Sequence, residues 1–448
     1  MSVNREIRTE AGFRQLEEEL LPIFTRNEEE LTLFYAPGYL AAAGAKEAAE
    51  ILQTLSGEIP FGDLPLGDLI HFAASACSEW AMIHDPASYR PVCLTVYTSA
   101  ACNLKCTYCF AEGERDISRQ LDRDYILTSA RTVLENCRKK GTPFTAVFHG
   151  GGEPSLDPRL PELWTKLKDM SEASEVPFYS YIATNGVMDE SKARWIAEHF
   201  DAVGLSVDGP PEIQNTQRPL RNGGASAPIV ERTAAILKAV QGHLNVRVTV
   251  PPENFGRIPD ITEYCAGALQ ADEIHIEPAY RRGSGPAPEL AEDFCEAYLK
   301  AKQLLAAAGV HLTFSGSRVG EIHGRYCQIF RQVLHLVPPH GTSPCFVLSS
   351  ENEVERAHFC FEQDGVTDHS RLIPEDPNCA DCFNRFHCAG GCPDVCPALP
   401  GELHDAGSFR CRVSRTLAEA ELMETARRLL FEPARKYGYA GIQLRGGS

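Results

Sequence analysis

Long hydrophobic runs are missing from this chain. No apolar stretch approaches the roughly 20 residues that a membrane-spanning helix needs, and the first ten residues are polar and charged, with none of the apolar core of a secretory signal. Positive charge is also short: 43 Lys and Arg against 61 Asp and Glu leave a net charge of -18. That deficit argues against a broad electrostatic footprint for nucleic acid, though not against a small basic pocket. A cytoplasmic protein with neither nucleic-acid nor membrane partners is expected. The 43% hydrophobic content supports ordinary globular burial rather than disorder, and 448 residues exceed what one core usually serves, so two or three domains are expected. Cysteine, by contrast, is abundant. Seventeen cysteines without an export signal belong in a reducing compartment, where close spacing means metal binding more often than disulfides.

Between residues 92 and 278, short β-branched runs alternate with amphipathic segments of helix length. This is the pattern of successive βα units around a parallel sheet. Six strands are expected, at 92–99, 144–149, 178–184, 202–207, 244–250 and 273–277. In the first helical segment Ile126, Leu127, Ala130, Val133, Leu134 and Cys137 recur at helical spacing and mark one buried face. Six units fall short of a closed eight-stranded barrel, and the chemistry of such folds sits at the C-terminal ends of the strands.

Cys102, Cys106 and Cys109 follow the first strand, separated by three and two residues. A structural zinc site usually takes four N or S ligands, whereas three cysteines on one loop can hold three irons of a 4Fe-4S cluster and leave the fourth open. A disulfide cluster or a zinc knuckle is the alternative. The run Cys-x3-Cys-x-Tyr-Cys, with Tyr108 at its aromatic position, resembles the signature of the radical S-adenosylmethionine (SAM) enzymes. The resemblance implies a partial (β/α)6 TIM barrel of the α/β class. It also implies that the open iron chelates SAM, and that one electron from the cluster cleaves SAM to a 5'-deoxyadenosyl radical able to abstract unactivated hydrogens.

One βα unit later stands Gly151-Gly152-Glu153-Pro154, which resembles the family motif that meets the SAM amino group. The resemblance carries Asn185 and Ser206, at the ends of the third and fourth strands, over as contacts to the SAM ribose and carboxylate. It places Arg218 near the carboxylate, where a plain loop arginine is an equal account. His149 and His275 read as satisfied histidines near the core.

After residue 317 the composition turns to Cys, Pro and short turns. Cys379 and Cys382 are followed after five residues by Cys388, after three by Cys392, after three more by Cys396, and after fourteen by Cys411. A small segment without a long apolar core needs staples, and in a reducing cytoplasm these are metal or cluster ligands. The spacing resembles the SPASM extension, which implies two auxiliary 4Fe-4S clusters and three clusters in all. By position Cys327, Cys345, Cys360 and Cys392 would hold the first auxiliary cluster. Cys379, Cys382, Cys388 and Cys411 would hold the second, with Cys396 able to replace Cys411. Paired zinc sites share this arithmetic. Cys77, Cys93, Cys137, Cys265 and Cys295 read as ordinary buried thiols.

The expected organisation is a small α+β module at 1–88, the barrel at 89–316 and the SPASM domain at 317–448. In the first module a hairpin turns at Pro37-Gly38 and two helices follow, faintly resembling a winged-helix element that binds leader peptides by β-augmentation. The C-terminal stretch 418–435 is expected to be helical, with Leu417, Leu422 and Leu429 docking it on the preceding domain. The resemblance implies a maturase of ribosomally made peptides, forming a thioether or carbon-carbon crosslink in a precursor peptide or protein substrate and fed electrons by a flavodoxin- or ferredoxin-type reductant. A sulfatase-maturing, formylglycine-generating enzyme is the alternative, weakened because Phe361 rather than an aspartate follows Cys360. A non-catalytic electron carrier or zinc-stabilised peptide binder is a third reading. No catalytic base is assigned.

Overall fold

Alternation of apolar and polar residues sets the strands, and helical spacing sets the layer that covers them. The computed structural model describes residues 7–8, 14–16, 22–28, 31–56, 58, 66–83, 90–109, 120–280, 285–322, 332–338, 341–343, 379, 382–388, 407–431 and 439–444. The chain divides into two compact units, one formed by 1–85, 316–326 and 372–448, the other by 86–315 and 327–371.

The first unit opens with an antiparallel meander of β1 (Ile7–Arg8), β2 (Arg14–Leu16), β3 (Ile23–Glu28), β4 (Leu31–Ala36) and β5 (Tyr39–Ala43). Gly38, at φ 86°, takes the left-handed position that the tight turn between β4 and β5 requires. α1 (Ala45–Leu55) and α2 (Gly67–Ile83) follow. Ile51, Leu66, Leu69 and Ala73 close over Phe34, Tyr39 and Ala41 on one face of the sheet.

In the second unit the order is β6 (Cys93–Val96), α3 (Arg123–Lys140), β7 (Phe144–Phe148), α4 (Leu160–Ala173), β8 (Phe178–Thr184), α5 (Glu190–His199), β9 (Ala202–Ser206), α6 (Pro211–Gln217), α7 (Ala227–Gln241), β10 (Asn245–Val250), α8 (Ile258–Gly267), β11 (Glu273–Pro278), α9 (Ala291–Ala308), β12 (His311–Thr313), β13 (Val333–Val337) and β14 (Gly341–Ser343). The sheet order is β12-β11-β10-β9-β8-β7-β6-β13-β14, with every pair parallel except β13 with β14. All six expected strands are present. β12 and β13 extend the sheet at either end, one too short to show a pattern and the other lying beyond the shift in composition.

The local signals are physical. Asp122 caps α3 by accepting the Tyr125 N–H, and Gly141 ends it at φ 68°. Ile126, Ala130, Val133, Leu134 and Cys137 are its buried face, as the spacing predicts. Cys265 and Cys295 are buried too, but Cys77 and Cys93 are half-buried rather than sealed in the core. Along β8, β9 and β10 the residues turned towards the helices (Ile182, Leu205, Val246, Val248) are sealed, while Tyr181, Ser206 and Arg247 on the opposite, concave face are half-buried.

The chain returns to the first unit with α10 (Arg385–Cys388), α11 (Phe409–Phe431) and β15 (Tyr439–Gln443). Leu422 and Leu429 of this C-terminal helix are buried as expected, in a core that includes Val319 and Phe383 of the preceding segment, and the partner not expected from the sequence is the N-terminal sheet. Ala418, Leu422, Met423 and Ala426 pack on Phe24, Leu33, Tyr35 and Ala42 of the N-terminal sheet, and β15 adds antiparallel to β5. With α1 and α2 on one face and α11 on the other, β4 and β5 are buried along both faces, which is why Leu-Thr-Leu-Phe-Tyr-Ala and Tyr-Leu-Ala-Ala-Ala carry little alternation. Among the described residues no helix is long and apolar enough to cross a membrane.

Two outcomes follow. Leu422→Ala, at a fully buried site, should destabilise the first unit by about 3 kcal/mol in denaturant unfolding, whereas Leu304→Ala, 55% exposed, should change little. On β13, burial pulls His335 down to about 3, and the neighbouring His149 charge adds to the shift. A histidine held neutral in the fold but protonated in the unfolded chain contributes stability above about pH 6.5 and loses it as pH falls towards 3. Acidification from pH 7 to 5 should therefore cost the wild type about 2 kcal/mol more than His335→Gln, by the pH dependence of unfolding.

Candidate functional site

The cysteine loop leaves β6 and is fastened to the segment after α6 by backbone bonds. Lys105 N–H donates to the Pro219 carbonyl at 2.9 Å, Thr107 N–H to Gln217 at 2.9 Å, and Arg221 N–H to Asn103 at 3.0 Å. Arg221 Nε adds a bond to the Cys102 carbonyl at 2.8 Å. Cys102, Cys106 and Cys109 lie close enough for their charges to act on one another. Burial pushes the Cys106 thiol up to about 11, Arg218 pulls it back, and Asp208, Cys109 and Cys102 push it further. A buried thiol that resists ionising in protein alone, with two more cysteines beside it, suits a cationic iron group, which would hold it as a thiolate. Among the described residues no three His, Cys, Asp or Glu side chains are gathered for a single metal ion. A cubane asks less, because each cysteine binds a different iron.

Beside the loop, Gly152 has no room for a side chain: a Cβ would overlap the Ala101 carbonyl, while Gly151 faces open space. Glu153 is 2% exposed and bound within the protein. Its Oε1 accepts Ser155 N–H at 3.0 Å and the Thr184 hydroxyl at 2.7 Å, and its Oε2 accepts Asn185 N–H at 2.7 Å. The carboxylate thus ties the end of β7 to the end of β8. Asn185 Nδ2 reaches Asn103 Oδ1 at 2.8 Å and lies 3.7 Å from Cys102 Sγ, so the third strand end also buttresses the cysteine loop.

The densest network centres on Asp208, fully buried just past β9. It accepts the Tyr108 hydroxyl at 2.5 Å, Gln217 Nε2 at 2.8 Å and Thr249 N–H at 3.2 Å, and Arg218 Nη1 stands 3.5 Å away. Arg218 also donates to the Tyr108 oxygen at 2.7 Å. Burial keeps Tyr108 protonated well above its usual range, against the pull of Arg218 and with the help of Asp208. Burial alone would discharge Arg218, but its anionic surroundings outweigh this and keep it charged. Tyr108 and Arg218, singled out as SAM contacts, are therefore partners of a buried acid. Ser206, at the end of β9, is half-buried, and among the described residues its hydroxyl makes no hydrogen bond. Asp208, Gln217 and Asn103 were not singled out in the sequence. Ser-Val-Asp-Gly-Pro reads as a turn, and only the fold shows its aspartate pointing inwards.

In the first unit Cys379, Cys382 and Cys388 lie near enough to Cys411 to act on it electrostatically. Burial pushes the Cys382 thiol up to about 11 and the Cys411 thiol higher, with Arg415 opposing the latter. Cys382 N–H donates to the Cys379 carbonyl at 3.1 Å, and Cys388 N–H to Asn384 at 2.8 Å. His275 is satisfied, as expected, by the Thr313 hydroxyl at 2.9 Å and by Ser315 and Glu277 at 3.1 Å. Cys327, Cys345, Cys360, Cys392 and Cys396, with Phe361, lie outside the described residues.

Asp208→Asn should strand a buried guanidinium, lower the stability of the second unit by about 3 kcal/mol and reduce iron retained after anaerobic reconstitution. Unfolding curves and iron assay check both effects.

Residues 96–265 match the Radical SAM superfamily. A cysteine-type anaerobic sulfatase-maturating enzyme of Clostridium perfringens is 30% identical over 174 residues, covering 37% of this chain and 46% of that protein. The mycofactocin maturase MftC of Mycobacterium ulcerans is 28% identical over 38% of this chain and 43% of its own length. The chain thus spans less than half the length of these curated relatives. Among solved structures, native anSMEcpe with bound AdoMet aligns at TM-score 0.58 and 19% identity, covering 75% of this chain and 99% of that one. Streptococcus suis SuiB bound to the precursor peptide SuiA aligns at TM-score 0.51 and 12% identity, covering 86% and 99%. These likenesses show the fold. With the cysteine loop at the strand ends and the family match running through it, the chain carries a radical SAM domain.

Proposed function

We propose that this chain is a radical SAM enzyme of the maturase type that oxidatively modifies a residue in a peptide. The observation that carries this is the loop of Cys102, Cys106 and Cys109, braced by three strand ends within the matched domain. When bound, a 4Fe-4S cluster with SAM supplies one-electron chemistry capable of removing an unactivated hydrogen. The chain's residues do the positioning. Cys102, Cys106 and Cys109 would each hold an iron, the Asp208 network fixes the loop that presents them, and Gly151 leaves open space beside it.

Two auxiliary clusters belong to the same reading. The gathering of Cys379, Cys382, Cys388 and Cys411 supports one, and Cys327, Cys345, Cys360 and Cys392 would supply the other, with Cys396 in reserve. Bound there, they would supply a route for the electron that the substrate radical loses, while a flavodoxin- or ferredoxin-type reductant would supply the electron that cleaves SAM. A peptide substrate is supported by the precursor peptide SuiA bound to SuiB and the Cp18Cys peptide bound to anSMEcpe. The 30% identity to a sulfatase-maturating enzyme favours a second reading, conversion of a sulfatase residue to formylglycine.

Anaerobic reconstitution should load about twelve irons per chain, and Cys102→Ala should lose about four of them. The wild type should release deoxyadenosine from SAM under reducing conditions, and the variant should not. A peptide encoded beside the gene should lose the mass of about two hydrogens if a crosslink forms. Bound zinc with SAM left intact would overturn the reading.

A further inference from the structure

The concave face of the second unit's sheet carries a cation that no group among the described residues answers. Arg247 on β10 is half-buried, and among the described residues its guanidinium has neither a hydrogen bond nor an ion pair. Acids share the face but are engaged. Glu277 accepts from His275 and from the Ser315 N–H at 3.0 Å, and Glu273 accepts from Asn245 at 3.1 Å. The charge is nonetheless felt nearby: burial first and Arg247 second pull His149 down to about 4.

A second unanswered donor stands beside it. Tyr181 on β8 is half-buried, and its hydroxyl has no partner among the described residues. The two side chains meet over the strand between them. A Cβ on Gly204 of β9 would overlap the Tyr181 hydroxyl and fall 3.0 Å from Arg247 Cδ. Only glycine lets both lie across β9. Around them the face is open and lined by small side chains, with Ala183, Ser206 and Thr249 half-buried. Arg247 pairs in register with Ser206, two residues before Asp208, so the patch lies roughly 7 Å below the network that holds the cysteine loop.

We propose that Arg247 and Tyr181, converging over Gly204, form a carboxylate-binding site that takes an acidic side chain of the peptide substrate. The proposal rests on the peptide-modifying reading above and deepens it. One guanidinium matches one carboxylate in charge and can meet it with two parallel N–H bonds, to which a tyrosine hydroxyl adds a third donor. The position suits anchoring rather than chemistry, within a side chain's reach of the strand ends. SAM also bears a carboxylate, and the test must tell the two sources apart.

The probes are capped alanine heptapeptides with one central glutamate, and their glutamine twins, titrated by equilibrium dialysis against the anaerobically reconstituted full chain with and without saturating SAM. The glutamate peptide should bind about tenfold more tightly than its twin, and this preference should persist when SAM is bound. Arg247→Gln should bring the ratio to about one, Arg247→Lys should restore part of it, and Gly204→Ala should lose it by displacing both side chains. Equal binding of the twins, or no binding of either, overturns the site. A preference that vanishes on adding SAM also overturns it, since the cofactor would then occupy Arg247. Deoxyadenosine release by the same preparation tests the enzyme reading separately. SAM cleavage with no glutamate preference removes this site alone, and a glutamate preference without SAM cleavage keeps the site while the enzyme reading fails.

Discussion

A carboxylate sealed from water must be answered on every side before its surroundings can settle. Asp208 takes hydrogen bonds from a tyrosine and a glutamine at Oδ2 and from a backbone amide at Oδ1, with an arginine beside Oδ1. The donors come from the cysteine loop, from the end of α6 and from β10, so a single acid links three places far apart in sequence. Removing any partner leaves charge or donors unpaired in a low-dielectric setting, which costs more than the bond itself contributes. Cys106 and Cys109 flank Tyr108 and have little freedom of their own. The placement of the cysteine loop is set in large part by this network.

Glu153 performs the same service one strand over, joining the turn after β7 to the end of β8. Two buried acids therefore bracket the cysteine loop, each engaged by internal donors. Glu153, Tyr108 and Arg218, which the resemblance places beside SAM, also hold the frame, and Asn185 divides its bonds between the frame and the neighbourhood of Cys102. Positions that leave a group unspent among the described residues, such as Ser206 and the open side of Gly151, have more to give a ligand.

What could be read in the sequence was whatever is local. The face of α3 was visible because its apolar residues repeat within one helix, and the six strands because β-branched runs punctuate the chain. The cysteines announce themselves by spacing. Asp208 was hidden because an aspartate before Gly-Pro is ordinary turn chemistry, and nothing local says that a tyrosine one hundred residues earlier will donate to it. The sheet that α11 covers was hidden for the same reason. Its leucines state that a partner exists, but β3 to β5 lie more than 370 residues away, and α1 and α2 already account for one of their faces. Two-sided burial erases the alternation that would have exposed a second bare face.

The same sheet separates two tasks by the parity of its residues. Side chains towards the helices are sealed and mostly apolar, so the strands are held without help from the concave face. The concave side is then free to carry polar groups that would be costly in a core: Arg247, Tyr181, His275 and Glu277. Radical chemistry needs little from such groups beyond dryness and position, since the reactive power resides in the cofactor. Choosing which residue meets it is a binding problem, solved by charge and hydrogen bonds. Because neighbouring positions on a strand point to opposite faces, the concave residues can change with substrate while the sealed ones keep the strand ends, and with them the cysteine loop, in place.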